Sequence, residues 1–116
     1  IVDRKKEIII TGGENISSLE IESAIAAHPE VFECAVVAAP DKKFGEVPAA
    51  IVVTKPGATL TRKEMLGFLS DRLARFKIPR TFEFRTEELP KSGTGKIKKT
   101  ELREAFWAGK SKRVQG

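Results

Sequence analysis

The sequence predicts an α+β domain: a small sheet of about three main strands covered by helices, with a short β-hairpin at the N-terminal end. Three observations carry this. β-Branched or apolar runs stand at 8–11, 32–39, 49–54 and 81–85. Segments with helical apolar spacing and a Ser or Thr at their start stand between and after them. Strands and helices come in mixed order, and at 116 residues they make one small domain.

Asp3 to Glu7 is a charged pentad, read on composition as a solvated linker. Ile8-Ile9-Ile10-Thr11 is a short strand, Gly12-Gly13-Glu14-Asn15 a turn, and Ile16 the return to extended chain. Ser17 or Ser18 caps a helix whose apolar stripe is Leu19, Ile21, Ile25 and Ala26. It ends near His28, because Pro29 disfavours helix in the residue before it. Phe32 to Ala39 is a buried strand, positions 40–46 a loop, and Ala49 to Thr54 a second strand, so the pair forms a hairpin with a long connection. Thr61 caps the next helix with Glu64 three residues on, and Met65, Leu66, Leu69 and Leu73 form its apolar face. The segment 76–80 breaks it. Thr81 to Arg85 is a third strand with Phe82 and Phe84 on one face. Thr100 caps a last helix carrying Leu102, Ala105, Phe106 and Trp107, Gly109 stops it, and 108–116 is a basic tail.

A net charge of +5 favours anionic ligands without naming one. Cys34 is the single cysteine, so no internal disulfide forms, and a reducing, cytoplasmic location is expected. No apolar run is long enough to span a bilayer, and no signal peptide is visible. The chain opens on Ile1 without a methionine, as an excised part of a longer protein would.

The stretch with most chemistry is Pro90-Lys91-Ser92-Gly93-Thr94-Gly95-Lys96-Ile97. Its glycines allow close approach to a ligand, and Lys96 is a point charge on a long stem, suited to phosphate or carboxylate. Lys91, Lys98 and Lys99 lie beside it, and 90–116 holds eight Lys or Arg against two Glu, so a merely solvated lysine fits the pattern equally. A phosphate-binding P-loop is excluded, because the position needing its first glycine is Pro90. His28 and Cys34 are more simply a helix-end histidine and a core cysteine than a dyad, and potential metal ligands are too few for a zinc site. Phe32, Phe82, Phe84 and Trp107 read as core, whereas Phe44 in a polar loop is available to stack on a base or a partner.

Four motifs together resemble the C-terminal domain of the adenylate-forming (AMP-binding) enzymes, most like an acyl-CoA synthetase. They are Asp3-Arg4-Lys5-Lys6-Glu7-Ile8-Ile9-Ile10 with Gly12-Gly13-Glu14-Asn15-Ile16 and Glu20-Ile21-Glu22; His28-Pro29-Glu30-Val31 with Ala35-Val36-Val37; Pro40-Asp41 with Phe44-Gly45-Glu46 and Ala49; and the loop from Leu89 to Ile97. The resemblance runs from Asp3 to about Trp107. It implies a hinge at 1–7, a mobile C-terminal domain at 8–107, and a large N-terminal domain as partner. That partner would carry the ATP loop, the acyl pocket and the Mg that accompanies ATP, with no metal held on this chain. It implies two steps, adenylation of a carboxylic acid by ATP and transfer of the acyl group to a thiol such as CoA. Lys96 would be the catalytic lysine of the first step, Arg4 a nucleotide contact and Lys6 the pivot. Gly12, Gly13 and Glu14 would form the loop that lines the pantetheine channel in the second step. Phe44 and Phe76 match positions near the CoA nucleotide in some CoA ligases, and Ile78 stands where some relatives carry a basic residue. The fragment alone would be inactive.

Two other readings stay open on the residues. One is an adenylation domain that loads a carrier protein. The other is a basic module that binds nucleic acid or an acidic partner, although no nucleic-acid motif is present and nucleic acid is not an expected partner.

Overall fold

The computed structural model describes residues 8–115, with side chains to 108. The elements are β1 (Ile8–Thr11), β2 (Glu14–Ser17), α1 (Ser18–Ala26), β3 (Val31–Asp41), β4 (Gly45–Thr54), α2 (Arg62–Ser70), a 3₁₀ turn (Arg75–Lys77), β5 (Thr81–Arg85) and α3 (Lys99–Gln115). The predicted class holds. The N-terminal hairpin is not separate, however. It joins one five-stranded sheet of order β2-β1-β4-β3, in which β5 also pairs with β4. All pairings are antiparallel except β4–β5, which is parallel.

β3 and β4 are longer than the sequence suggests. They pair from Val31↔Thr54 to Asp41↔Gly45, so the expected loop at 40–46 shrinks to Lys42-Lys43-Phe44. Asp41 closes the turn, its carboxylate accepting from the backbone N–H groups of Lys43 (3.0 Å) and Phe44 (2.8 Å), and Gly45 takes the left-handed conformation at φ +83°. Pro48 is tolerated inside β4 because β1 leaves that edge at Gly45 and β5 begins only at Ala49. Between them the Pro48 carbonyl accepts from Arg80 N–H at 3.2 Å.

A bulge at Phe32 shifts the β3 register between Val31 and Glu33. Val31 therefore faces the same side as Val36 and Ala38, while Ala35, Val37 and Ala39 face the other. The first side forms one core with Ile9, Ile16, Ile21, Ile25, Ala50, Val52, Met65 and Leu69, under α1 and α2. The second forms another with Val47, Ala49, Ile51, Val53, Leu89 and Leu102, covered by α3 and the chain leading to it. Both faces of β4 are therefore buried, which explains its unbroken apolar run.

The helix starts follow their caps. Ser17, rather than Ser18, accepts from Glu20 N–H, and Thr61 and Glu64 form a full capping box. Three expectations change. Leu19 and Phe32 are exposed, Phe32 by 53%, because the bulge removes it from the alternation that would have carried it inward. α2 ends at Ser70, with Leu73 buried beyond it. α3 begins at Lys99, before Thr100, and runs through Gly109 to Gln115, since one glycine costs a helix only about 1 kcal/mol.

Ile51, fully buried at the centre of the sheet, and Phe32 should separate sharply. Ile51→Ala should cost about 3 kcal/mol of unfolding free energy, and Phe32→Ala under about 1 kcal/mol, by urea denaturation.

Candidate functional site

Lys96 leaves a miniature hairpin. The Ser92 carbonyl accepts from Gly95 N–H (2.9 Å), Ser92 N–H donates to the Lys96 carbonyl (2.8 Å), and Lys98 N–H donates to the Pro90 carbonyl (2.8 Å). Gly95 supplies the left-handed residue at φ +86°, and Lys91 pairs with Ile97 across the stem. Ile97 packs on the second core. Successive residues of extended chain point to opposite sides, so an inward Ile97 turns Lys96 out to solvent. The Lys96 ammonium has no ion-pair partner among the described residues, whereas Lys91, Lys98 and Lys99 each pair with a carboxylate. That distinction separates Lys96 from the basic residues around it, which the sequence pattern could not do.

Both flanks of the loop are tied to the sheet. On one, Glu33 accepts from Leu89 N–H (2.7 Å) and pairs with Lys91 Nζ (2.9 Å). Hydrogen bonding to Glu33, more than to Glu88, raises the Lys91 pKa above its ordinary value. On the other, Lys99 pairs with Glu22 of α1 at 2.6 Å, and Glu22 also accepts from Val36 N–H of β3 at 2.7 Å. Trp107 donates its indole N–H to the Ala38 carbonyl at 3.1 Å, so α3 is fixed along the β3 edge. Trp107 is thus half-buried and hydrogen-bonded, more than a plain core residue.

The Gly12-Gly13 turn lies at the other end of the β3–β4 pair. Both glycines have positive φ (+56° and +88°), the two-residue primed turn of a tight hairpin. Glu14, expected in the turn, is already in β2 and exposed. Gly12 donates its N–H to the Phe44 carbonyl at 3.0 Å, and a Cβ on Gly12 would stand 2.9 Å from Phe44 Cδ1. A Cβ on Gly13 would meet nothing. Glu46 accepts from Ile10 N–H at 3.1 Å and extends the tie between β1 and β4. Phe44 is half-buried rather than exposed, with the Arg80 guanidinium 4.5 Å from its ring centre. Phe76 is 50% exposed on the 3₁₀ turn that precedes Arg80. From Glu33, which anchors the Lys96 stem, to Asp41 beside the glycine turn is eight strand residues, roughly 26 Å. The start of the Lys96 stem is thus anchored toward the opposite end of the strand pair from Gly12, Gly13 and Phe44. Arg4 and Lys6 lie outside the described residues.

No group of three or more His, Cys, Asp or Glu among the described residues is arranged to hold a metal ion. No described helix is long and apolar enough to cross a membrane. Cys34 donates to the Glu22 carbonyl (3.5 Å), and burial with Glu22 nearby pushes its thiol up to about 12. Glu33 was not singled out from the sequence, and Glu22 and Glu46 were quoted only as parts of longer motifs. For Glu33 the available signal was a charge placed within an otherwise apolar run.

The family model of the AMP-binding enzyme C-terminal domain matches residues 20–96. The chain is 50% identical over 106 residues to a probable CoA ligase of Humulus lupulus, covering 90% of this chain and 19% of that protein. It is 48% identical over 104 residues to a peroxisomal trans-cinnamate:CoA ligase of Petunia hybrida, covering 90% and 18%. Among solved structures it resembles a Mycobacterium tuberculosis fatty acyl CoA synthetase (TM-score 0.82, 43% identity, 90% of this chain and 20% of that one). It likewise resembles ATP-bound MatB of Rhodopseudomonas palustris (TM-score 0.83, 41% identity, 88% and 20%). The chain belongs to the AMP-binding enzyme C-terminal domain family, whose matched relatives here are CoA ligases and acyl-CoA synthetases. It spans about a fifth of the length of those relatives.

Two outcomes follow. Gly12→Ala should destabilise the chain more than Gly13→Ala, because only Gly12 meets a clash as well as positive φ. Phe44→Ala in the Gly12→Ala background should narrow that gap in urea midpoint. Cys34 should react slowly with a thiol reagent at pH 8 and quickly once unfolded. Its pKa is raised on folding, so its contribution to stability is complete below the unfolded value of 9.0 and is lost as pH rises toward about 12.

Proposed function

We propose that this chain is the mobile C-terminal catalytic domain of an acyl-CoA synthetase and serves two half-reactions from two ends of one sheet. In the first, Lys96 reaches the reacting centre. Its ammonium orients the substrate carboxylate and stabilises charge on the ATP α-phosphate as acyl-adenylate forms and pyrophosphate leaves. In the second, the domain turns about Lys6, and the Gly12-Gly13 turn with Glu14 lines the channel taken by the pantetheine arm of CoA. Arg4 lies by the ribose in the first arrangement, and Phe44 and Phe76 lie near the CoA nucleotide in the second. The N-terminal domain is the partner that supplies the ATP loop, the acyl pocket and the ligands for magnesium. Without it the 116-residue chain is inactive.

The observation that carries this reading is the separation of the two sites. An outward lysine without an ion pair among the described residues and a glycine turn without side chains are tied toward opposite ends of one strand pair, at Glu33 and beside Asp41, roughly 26 Å apart along the strand. Two such features serve one acyl carbon only if they are presented in turn. The relatives named above are CoA ligases, which favours CoA over a carrier protein as the thiol acceptor.

In the full-length enzyme, Lys96→Ala should lower pyrophosphate release at least about 100-fold and spare thioester formation from supplied acyl-adenylate. Equal loss of both half-reactions would count against the assignment. Gly13→Leu should do the reverse, and unimpaired overall turnover by it would remove the channel role. ATP turnover by the isolated chain with any carboxylic acid would overturn its dependence on the N-terminal domain.

A further inference from the structure

Lys96 lies in the stem of the miniature hairpin, opposite Ser92, and the hairpin's own hydrogen bonds fix its shape but not its position on the domain. Position is set by what fastens the stem to the sheet. The apolar fasteners are Leu89 and Ile97, which pack in the second core without directional contacts. Two directional fasteners act, Glu22 on Lys99 beyond the stem and Glu33 on Leu89 and Lys91 at its start. Glu33 alternates with Ala35 and Val37 and so faces the loop, and its side chain is only 14% exposed there. One oxygen accepts from Leu89 N–H at 2.7 Å and from Lys91 Nζ at 3.0 Å, and the other pairs with Lys91 Nζ at 2.9 Å. Lys91 is the residue bridged to Ile97, and Ile97 is covalently next to Lys96. Two contacts, Glu33 to Lys91 and Lys91 to Ile97, therefore join β3 to the residue next to Lys96.

We propose that Glu33 is a positioning residue for adenylation, clamping the stem at Leu89 and Lys91 so that Lys96 meets the reacting centre in register. The inference rests on the adenylation role proposed for Lys96. Glu33 itself touches no substrate. Its contribution belongs to the first half-reaction alone, because the glycine turn is anchored at the far end of the strand pair through Glu46 and Phe44. A misplacement of about 1 Å in a positioned group costs on the order of 100-fold in rate.

The test uses the full-length enzyme and both half-reactions. Glu33→Ala should lower the kcat of pyrophosphate release on the order of 100-fold. Glu33→Gln should lower it on the order of 10-fold, since the amide oxygen still accepts from Leu89 N–H. KM for ATP and acid, and thioester formation from supplied acyl-adenylate, should stay within about twofold. Lys91→Met should resemble Glu33→Gln, and the double variant should be no worse than the poorer single one, as expected of partners in one contact. If Glu33→Ala does not fold, Glu33→Gln and Lys91→Met carry the comparison by themselves. A parallel fall in both half-reactions reduces Glu33 to a structural residue and overturns the proposal, as does wild-type adenylation in the Glu33 and Lys91 variants. Lys96→Ala is the comparator. If it abolishes adenylation while the Glu33 variants do not, only the positioning role falls. If it spares adenylation, the function proposed for Lys96 falls, and the positioning role falls with it.

Discussion

The β3–β4 pair is the constraint on which everything else rests. From Val47 to Thr54 every residue of β4 is buried, so each of its faces must be covered and each of its edges paired. β3 takes one edge for its full length, and β1 and β5 divide the other. The helices then follow from the faces. α1 and α2 close one, and α3 with the Lys96 loop closes the other. Because the pair is long and its turn short, its two ends are far apart, and the anchors of the two loops at Glu33 and at Phe44 are held apart with them.

Three half-buried glutamates join the peripheral pieces to this pair by one device. Glu22 accepts from Val36 N–H and pairs with Lys99. Glu33 accepts from Leu89 N–H and pairs with Lys91. Glu46 accepts from Ile10 N–H and lies 3.6 Å from Arg103. Each carboxylate thus satisfies a backbone donor in a neighbouring element and is neutralised by a cation. Hydrogen bonds to charged groups contribute about 1.5–3 kcal/mol, and losing one partner would leave a charge or an N–H poorly solvated. The device also covers the outer edge of β3, where Val36 N–H and the Ala38 carbonyl would otherwise be open to another strand.

Local rules made much of this legible. The capping box at Thr61 and Glu64, the cap at Ser17, and the paired glycines at 12 and 13 act within a few residues, so their sequence signals translate directly. Lys96 was visible as a candidate because Gly93 and Gly95 precede it. What separates it from Lys91, Lys98 and Lys99 is that each of those meets a carboxylate, in the cases of Lys91 and Lys99 one from a distant element. Phe32 and Phe44 exchanged their expected surroundings. A bulge sent the first to solvent, and the Gly12 turn and Arg80 covered the second. Neither a bulge nor a cover supplied from another element has a local signature.

By itself the sequence determined the class of fold, the order of its main elements, the starts of α1 and α2 and the two glycine-bearing turns, because periodicity, capping and turn glycines act through near neighbours. Tertiary structure alone decided which carboxylate holds which loop and that the two loops stand at opposite ends of one strand pair. It also decided that the N-terminal hairpin belongs to the same sheet. Those outcomes depend on strand register and on contacts between residues as far apart in the chain as Glu33 and Lys91, where only the closed core sets the distance.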